Sequence, residues 1–391
     1  MANYSFRDIV IDTRTGLNPR QNFKLGNGNN YYITIKDIHN GRIEITDKTD
    51  RIDDEAVAKI KKRSRIKNGD ILFTSIGRIG ETAIVHDKND TWEVNESIFI
   101  FTINSEIIDA EYFCILLQST ELQERLAKDS SGSTFKSIKM NQLEKLSFDL
   151  PTIAEQRKIA ININKVSNLI NLCNAILEKL DLLVKSRFVE MFGEPILNPK
   201  GWDMATIGDI VTEVKYGTSR PAVDGGKYAY LRMNNLTYDG HLDLTDLKRI
   251  DIPDNEIEKC IVRKGDVLFN RTNSVELVGK TCVFNESEDM VIAGYIIRVR
   301  LKSVMLPIVL SSFMNTDALK KKLRTMAKGA VNQANINAQE LQAINIYLPP
   351  IDLQQQFAAF VEQTDKSKLA VKQVLEKAET LKKALMQEYF G

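Results

Sequence analysis

The stretch Leu150-Pro151-Thr152-Ile153-Ala154-Glu155-Gln156 decides the architecture, because its pattern returns near the end of the 391-residue chain. An ordered series of such matches at a nearly constant offset predicts two tandem copies of one unit. The matched pairs are Leu150-Pro151-Thr152-Ile153 with Leu348-Pro349-Pro350-Ile351, Gln156 with Gln354, Glu190–Gly193 with Glu388–Gly391, and Gly69-Asp70-Ile71-Leu72-Phe73 with Gly265-Asp266-Val267-Leu268-Phe269.

Each copy ends in a segment with the periodicity of one long helix. From Ile159 to Met191 the apolar residues alternate at steps of three and four, which is the seam of a coiled coil and requires a partner helix. Two unrelated amphipathic helices, each packed on its own domain, are the alternative, but the matching heptad phase favours an antiparallel pair. The predicted seam residues are Ile163, Val166, Ile170, Leu177, Leu180, Val361, Val371, Leu375 and Ala378.

The rest of each copy mixes strand-like and helix-like patterns, which predicts an α+β globule with its own core. We predict domains at 1–149 and 194–347, with spacer helices at 150–193 and 348–391. The predicted strands are Tyr31–Ile35, Asp70–Thr74, Thr82–Val85, Ser97–Ile103, Leu146–Leu150, Tyr228–Met233, Asp266–Asn270, Lys280–Phe284, Ile296–Leu301 and Ile344–Leu348, and the predicted short helices are Glu111–Leu126 and Pro307–Met326.

The composition is that of an ordinary globular protein, with 43% hydrophobic and 27% charged residues. The 53 Lys and Arg nearly balance the 52 Asp and Glu, so the chain as a whole does not attract polyanions electrostatically. A polyanion would have to be held by local basic patches. No apolar run approaches the length of a membrane span, and no signal segment opens the chain. Four scattered cysteines fit a reducing compartment, so we expect a cytoplasmic protein.

No catalytic or metal-binding motif stands out. The three histidines, His39, His86 and His241, lack metal-ligand spacing, and Gly279-Lys280-Thr281 lacks the earlier glycine of a phosphate loop. The chain also has no Asn-Pro-Pro-aromatic or Asp-Pro-Pro-aromatic tetrad of the kind that amino-methyltransferases use. We therefore expect no catalytic residue, no metal and no cofactor in this chain.

Two polar loops in each copy carry side chains that suit DNA. Arg suits guanine, Asn suits adenine, and Ser or Thr contacts bases or phosphates. A solvated charged face is the ordinary alternative for the basic clusters. The predicted base-reading residues are Thr74, Ser75, Arg78, Ser133, Thr134, Lys136, Arg271, Thr272, Asn273, Ser274, Asn332 and Gln333, and the predicted phosphate contacts are Lys61, Lys62, Arg63, Lys320, Lys321 and Lys322.

On these features the chain resembles the specificity subunits of type I restriction–modification systems. The resemblance covers the whole chain and rests on the Leu-Pro segment leading into Glu155-Gln156-Arg157-Lys158-Ile159-Ala160, on the repeated Gly-Asp tract and on Gly201-Trp202. The second copy departs from the motif, because Leu353-Gln354-Gln355-Gln356-Phe357 replaces the charged run.

The resemblance implies two similar target recognition domains separated by two long helices packed as an antiparallel coiled coil, in a pseudo-twofold tandem repeat. Each domain would read one half of a bipartite, asymmetric double-stranded DNA sequence. The partners it implies are two modification subunits, which supply S-adenosylmethionine and the catalysis, and restriction or motor subunits in systems that cut DNA.

The residues by themselves leave three alternatives. A stand-alone DNA-binding regulator would bind tightly without partners, whereas the wide apolar face of the helices predicts a missing partner. A coiled-coil scaffold without a nucleic-acid target would show no salt-dependent DNA affinity. An enzyme acting alone is the third alternative, and it would need catalytic motifs that the sequence lacks.

Overall fold

The computed structural model describes residues 2–39, 41–89, 91–129, 137–330 and 333–391. The chain forms two compact units, one made of Met1–Leu172 with Val374–Gly391 and the other of Cys173–Gln373. Each unit contains the globular part of one repeat and a part of both long helices. Because this division runs through the helices, the predicted boundaries at 149/150, 193/194 and 347/348 stay predictions.

The first unit is a mixed α/β globule with its core against the start of the first long helix. Its strands are β1 Ala2–Ser5, β2 Val10–Thr15, β3 Asn30–Ile33, β4 Ile38–His39, β5 Arg42–Ile43, β6 Asp50–Ile52, β7 Ile71–Thr74, β8 Thr82–Ile84, β9 Trp92–Val94, β10 Ile98–Ile103 and β11 Ser147–Leu150. Its helices are α1 Phe6–Ile9, α2 Asp54–Ser64, α3 Ala110–Leu117, α4 Thr120–Asp129, α5 Met140–Leu143 and the first half of α6 Ile153–Phe192.

The second unit repeats this plan. Its strands are β12 Asp203–Thr206, β13 Val211–Tyr216, β14 Tyr228–Leu231, β15 Lys248–Ile250, β16 Ile261–Val262, β17 Val267–Asn270, β18 Thr272–Asn273, β19 Thr281–Val283, β20 Met290–Ile292, β21 Ile296–Leu301, β22 Lys328–Ala330, β23 Gln333–Asn335 and β24 Asn345–Leu348. Its helices are α7 Ile207–Ile210, α8 Ile257–Cys260, α9 Pro307–Met314, α10 Asp317–Met326, α11 Ala338–Gln342 and the first half of α12 Ile351–Phe390.

The sheets of the two units correspond strand by strand. The order β2-β10-β7-β8 in the first unit matches β13-β21-β17-β19 in the second, and the pair β1-β11 matches β12-β24. A further sheet in each unit contains one parallel pair, β3 with β9 and β14 with β20. The predicted α+β class and tandem repeat are confirmed, because two copies of one mixed topology follow each other along the chain.

Each predicted short helix is two helices. Glu111–Leu126 separates into α3 and α4, and Pro307–Met326 separates into α9 and α10. The break comes at Ser119 and Thr316, whose side-chain oxygens accept from Leu122 N and Leu319 N at 3.4 Å. A hydroxyl that caps a new helix competes with continuation of the previous one, and the periodicity alone did not reveal this.

The long helices run antiparallel in both units. In the first unit, Ala160 and Ile163 near the start of α6 share a core with Phe390 at the end of α12. In the second unit, Phe188 and Phe192 near the end of α6 contact Phe357 near the start of α12, with ring centroids 5.6 and 5.4 Å apart. The predicted antiparallel packing is confirmed, and the alternative of two unrelated helices is excluded.

The predicted seam is the less exposed side of both helices. Ile163, Val361 and Ala378 are buried, whereas Leu169 and Leu183, on a second apolar line, are 40% and 48% exposed. Among the predicted seam residues, those that are partly buried are Val166, Ile170, Leu177, Leu180, Val371 and Leu375. Lys368, which interrupts the seam, is buried in the second unit and binds Asp181 at 2.6 Å.

A buried glutamine attaches the start of each long helix to its globule. Gln156 accepts from Asp109 N at 2.9 Å and donates to Ile107 O and Pro151 O, both at 3.0 Å. In the second unit, Gln354 accepts from the backbone N–H of Leu306 at 2.9 Å. Its amide donates to the carbonyls of Val304 and Pro349, at 3.0 and 2.8 Å. Both side chains are 0% exposed and fully hydrogen-bonded, which gives a physical reason for a glutamine at this place in both copies.

The charged neighbours of Gln156 act locally in the first copy. Glu155 and Thr152 cap the helix, with Thr152 N donating to Glu155 Oε2 at 3.0 Å. Arg157 lies 3.6 Å from Asp109, a surface ion pair of small energetic value. The second copy starts its helix after two prolines and has Leu306 where the first has Asp109, so neither interaction is available there.

The repeated Gly-Asp tract is a structural turn before the central strand. Gly69 and Gly265 have φ of 88° and 94°, a conformation that favours glycine. Asp70 and Asp266 accept from the backbone N–H three residues earlier, at 2.7 and 2.9 Å. An arginine also binds each carboxylate, at 2.9 Å for Arg14 and 3.0 Å for Arg300. The tract therefore fixes the strand after which the polar loop begins.

Candidate nucleic-acid interface

In each repeat, the polar loop after the central strand is joined by a backbone hydrogen bond to the segment that follows the second predicted loop. In the first repeat, Ile138 N donates to Ser75 O at 2.9 Å, and in the second, Ile336 N donates to Arg271 O at 2.9 Å. In the second repeat this contact extends into a small sheet in which β23 pairs with both β18 and β22. The sequence identified these loops separately, and in the second repeat the described parts of both come together in this sheet.

The hydroxyls of Thr74 and Ser75 hold the turn and do not face solvent. Thr74 is 0% exposed, donates to Arg78 O and accepts from Glu81 N at 3.0 Å. Ser75 is 4% exposed and donates to Ser97 O at 2.8 Å. Both were predicted to read bases. Because their polar atoms are buried and satisfied, we instead assign them to the framework.

Arg78 is the predicted reader of this first segment that reaches the surface. Its side chain is 48% exposed and lies 3.1 Å from Glu81. Its guanidinium also lies 3.0 Å from His39 Nδ1 and donates to Ile35 O at 3.0 Å. These contacts hold the side chain against a cavity of about 270 Å³ that His39 and Gln123 also line.

In the second repeat, three of the described predicted readers are partly exposed. Arg271 is half-buried, and its guanidinium carbon lies 4.8 Å from the centre of the Tyr216 ring. Asn273 and Ser274 are half-buried, and Asn273 Nδ2 donates to Asn270 Oδ1 at 3.1 Å. Thr272 is buried, and its hydroxyl donates to Asn335 at 3.0 Å, so this predicted reader also belongs to the framework.

Several predicted readers lie where the structure gives no side-chain description. Ser133, Thr134, Lys136 and Asn332 fall outside the described residues, and only the backbone of Gln333 is described, in β23. Their assignment stays a prediction from the sequence.

The first basic cluster projects from the last turn of α2. Lys61, Lys62 and Arg63 are exposed, and Arg63 Nε donates to Thr15 Oγ1 at 3.1 Å. The buried residues Val57 and Ile60 pack the opposite face of α2 into the unit. The amphipathic helix thus places its basic side chains outward, as a phosphate-binding surface requires.

The second basic cluster differs from the prediction at Lys320. This side chain is 3% exposed, and its ammonium donates to Gly279 O at 2.8 Å, so it cannot reach a phosphate in this conformation. Lys321 is exposed and Lys322 is partly exposed, which keeps them as predicted phosphate contacts. The helical period explains the difference, because Lys320 follows Leu319 on the inner face of α10.

Replacing Lys320 with Met is expected to remove a pH-dependent part of the stability. Burial, together with nearby Lys185 and Lys280, lowers the pKa of Lys320 to about 7. Between pH 7 and about 10, Lys320 is therefore protonated in the unfolded chain and mostly deprotonated in the folded chain. Because the unfolded state binds more protons, the unfolding free energy rises with pH. In this pH window, the unfolding free energy of the wild type should rise by about 1 kcal/mol per pH unit more than that of Lys320→Met. Denaturant unfolding at several pH values measures this difference.

Lys321→Met is the matched control for this measurement, because Lys321 is exposed and adjacent. It should keep the pH slope of the wild type. Equal slopes in wild type and Lys320→Met would show that Lys320 stays protonated in the folded state.

Three exposed tyrosines of the second repeat were not predicted from the sequence, two of them in contact with Arg271 and one with the basic side chains of α10. Tyr216, Tyr238 and Tyr295 are 42%, 38% and 49% exposed. Tyr216 at the end of β13 occupies the place of Thr15 at the end of β2, as the pairing of each strand with its neighbour shows. Tyr295 occupies the place of Ser97, because its carbonyl accepts from Arg271 N as the Ser97 carbonyl accepts from Ser75 N. A residue-by-residue comparison of the two copies could have found Tyr216 and Tyr295 as aromatic replacements of small hydroxyl side chains.

A second cavity, of about 280 Å³, lies in the second unit between the long helices and the globule. Asp181, Asp239 and His241 converge there, with ligand atoms within 4.8 Å of one another. The ammonium of Lys368 already binds Asp181, so a protein cation occupies the position next to this carboxylate. The group is therefore accounted for as an ion-pair network between helix and domain.

Within the described part of the chain, no helix is long and apolar enough to cross a membrane. The four cysteines, Cys114, Cys173, Cys260 and Cys282, are free and buried.

Comparison with known proteins identifies the family. The model of the type I restriction modification DNA specificity domain matches the chain twice, at residues 3–182 and 199–380. The EcoKI specificity subunit of Escherichia coli K12 is 22% identical over 355 residues, covering 85% of this chain and 74% of that protein. The MjaIX specificity subunit of Methanocaldococcus jannaschii is 30% identical over 227 residues, covering 52% of this chain and 51% of that protein.

Solved structures show the same fold. The S subunit of a type I restriction–modification system from M. genitalium superposes with a TM-score of 0.61 at 14% identity, covering 100% of this chain and 96% of that one. Specificity subunits are the non-catalytic DNA-recognition components of these systems. The chain belongs to this family, as a type I restriction–modification specificity subunit with two recognition domains.

Proposed function

We propose that each repeat reads one half of a bipartite, asymmetric sequence in double-stranded DNA. The observation that carries this proposal is the contrast between a shared backbone framework and different loop side chains. Ser75 and Arg271 occupy equivalent places, each donating from its backbone N–H to a carbonyl at 2.9 Å, in Ser97 and Tyr295. At this position the second repeat has a half-buried guanidinium that suits guanine, whereas the first repeat has a buried hydroxyl that is already bonded to Ser97 O. The two surfaces therefore offer different donors to base edges, and the two half-sites should differ.

We propose further that the long helices carry two modification subunits, which bind S-adenosylmethionine and methylate the DNA in the cytoplasm. In systems that cut DNA, restriction subunits would join this assembly. Large apolar side chains remain exposed on both helices, although the seam residues are buried or partly buried. The exposed residues are Ile161, Leu169, Leu172, Leu182, Leu183, Val189, Leu369, Val374 and Leu381, with exposures from 40% to 60%. Such a surface indicates a protein partner.

The division of labour between base and phosphate contacts gives a direct test. Arg271→Ala is expected to cost about 1–3 kcal/mol of binding free energy and to relax specificity at one position of one half-site. Lys62→Ala should weaken binding to all sequences alike and reduce the salt dependence by about one charge. The measurement is DNA binding by the assembled methyltransferase with every single-base variant of its target, at two salt concentrations.

The two variants control for each other because each removes one positive charge. If Arg271→Ala leaves every base preference intact, the loop is structural and the readers lie in the segments at 130–136 and 328–335. If the assembled wild-type complex shows no sequence-dependent binding, the proposed function itself is contradicted.

A further inference from the structure

The ring of Tyr216 supports the guanidinium of Arg271. The guanidinium carbon lies 4.8 Å from the ring centre, within the range of a cation–π interaction. The Tyr216 hydroxyl accepts from Ala338 N at 2.8 Å, at the first residue of α11. The ring is therefore held at both its backbone and its hydroxyl end.

The backbone on both sides of this contact is fixed. Gly217 follows Tyr216 where a Cβ would lie 2.1 Å from Ile292 O, so the chain passes closely against the neighbouring strand. Arg271 is clamped by two bonds of 2.9 Å, from its N–H to Tyr295 O and from Ile336 N to its carbonyl. Neither the ring nor the base of the arginine side chain can move far without breaking these bonds.

The cation–π contact leaves the terminal amino groups of Arg271 as donors for a base. Such a contact uses the charge of the guanidinium and none of its N–H groups, and Nε is buried without a hydrogen-bond partner, so the terminal N–H groups are the ones that remain. Those N–H groups match the O6 and N7 acceptors of guanine in a bidentate contact. An arginine that is held before binding loses less conformational entropy when it meets the base.

The first repeat has the same framework without this pair. Thr15 and Gly16 correspond to Tyr216 and Gly217, and a Cβ on Gly16 would lie 1.8 Å from Val94 O. The Thr15 hydroxyl instead accepts from Arg63, and Ser75 stands at the place of Arg271. The aromatic support is therefore a property of the second reading surface and not of the fold.

We propose that Tyr216 is a positioning residue that orients Arg271 to read a guanine in the second half-site. This inference rests on the proposed function and deepens it, since it names both the base and the residue that preorganises its reader. Tyr216 acts through Arg271 and need not touch the DNA.

The test compares variants of the assembled methyltransferase on all single-base variants of the second half-site. Tyr216→Thr installs the residue that the first repeat shows the framework to accept. It should reduce discrimination about tenfold at the same guanine position that Arg271→Ala affects, in line with the ordinary strength of a cation–π contact. Tyr216→Phe keeps the ring and should keep the preference.

Arg271→Lys separates base reading from charge, because it keeps the charge and loses the planar fork. It should lose the guanine preference while binding to unrelated DNA stays close to that of the wild type. The double variant Tyr216→Thr/Arg271→Ala should discriminate no worse than Arg271→Ala alone, since the ring then has no arginine to orient.

Other outcomes would overturn the inference. If Tyr216→Thr weakens binding to all sequences alike, or changes a different base position, the ring has a structural or independent role. If Tyr216→Phe fails in the same way as Tyr216→Thr, the hydroxyl and not the ring matters. Failure of the proposed function is distinguishable, because the wild-type assembly would then show no base preference at all.

Discussion

Replacing residues 1–149 with the corresponding domain of another specificity subunit is expected to change one half of the recognised sequence and leave the other half unchanged. The first globule contains two hydrophobic clusters formed only by residues of 1–149, and its sequence carries its own pair of predicted polar loops. Methylome sequencing of cells that carry the chimera with its modification subunits would measure the result. A complete replacement of one half-site is the largest change in specificity that we expect from this chain.

The attachment of the globule to the helix should tolerate this exchange. Gln156 binds backbone atoms of Ile107 and Asp109, which a foreign domain of the same fold also offers. The reciprocal exchange of residues 194–347 is the control and should change the other half-site. Altered bases in both halves of the first chimera would contradict independent reading by the two repeats.

Replacing Gln354 with Leu is expected to destabilise the second unit by about 3 kcal/mol. The substitution leaves the backbone N–H of Leu306 and the carbonyls of Val304 and Pro349 without their partner. An unsatisfied buried polar group costs about 1–3 kcal/mol, and the isosteric leucine recovers only part of this through apolar burial. Chemical unfolding of the whole chain, followed by circular dichroism, measures the loss.

Gln355→Leu is the matched control, since Gln355 is the next residue and is exposed. It should change the unfolding free energy by less than about 0.5 kcal/mol. Gln156→Leu should reproduce the effect in the first unit. If Gln354→Leu behaves like Gln355→Leu, water or a local shift satisfies the three backbone groups.

The sequence predicted the helices well because their pattern extends over many turns. Both long helices begin after Pro151 or Pro350 and end within two residues of the repeated Phe-Gly, as the motif spacing indicated. The short helices were predicted less well. A single serine or threonine, at Ser119 and Thr316, divides each of them, and one capping residue is a weak signal against a continuous apolar pattern.

The orientation of the side chains in and near the polar loops could not be predicted from the sequence. The composition of these loops and their place after the repeated strand predicted them as DNA-reading loops, and this assignment stays a prediction. Thr74 and Lys320 have the right chemistry for DNA, but their polar atoms face inward. Tyr216 has no charge and was not predicted, although it supports Arg271.

The sequence by itself determined the duplication, the α+β class, the long helices and the family, because these depend on patterns that recur along the chain. The tertiary structure alone decided which polar side chains face outward and which satisfy buried backbone groups. The physical reason is that a hydroxyl, amide or ammonium has the same hydrogen-bonding capacity in either setting. Only the position of its partners, contributed by distant segments such as Ser97, Gly279 and Ala338, determines whether it holds the fold or remains available to DNA.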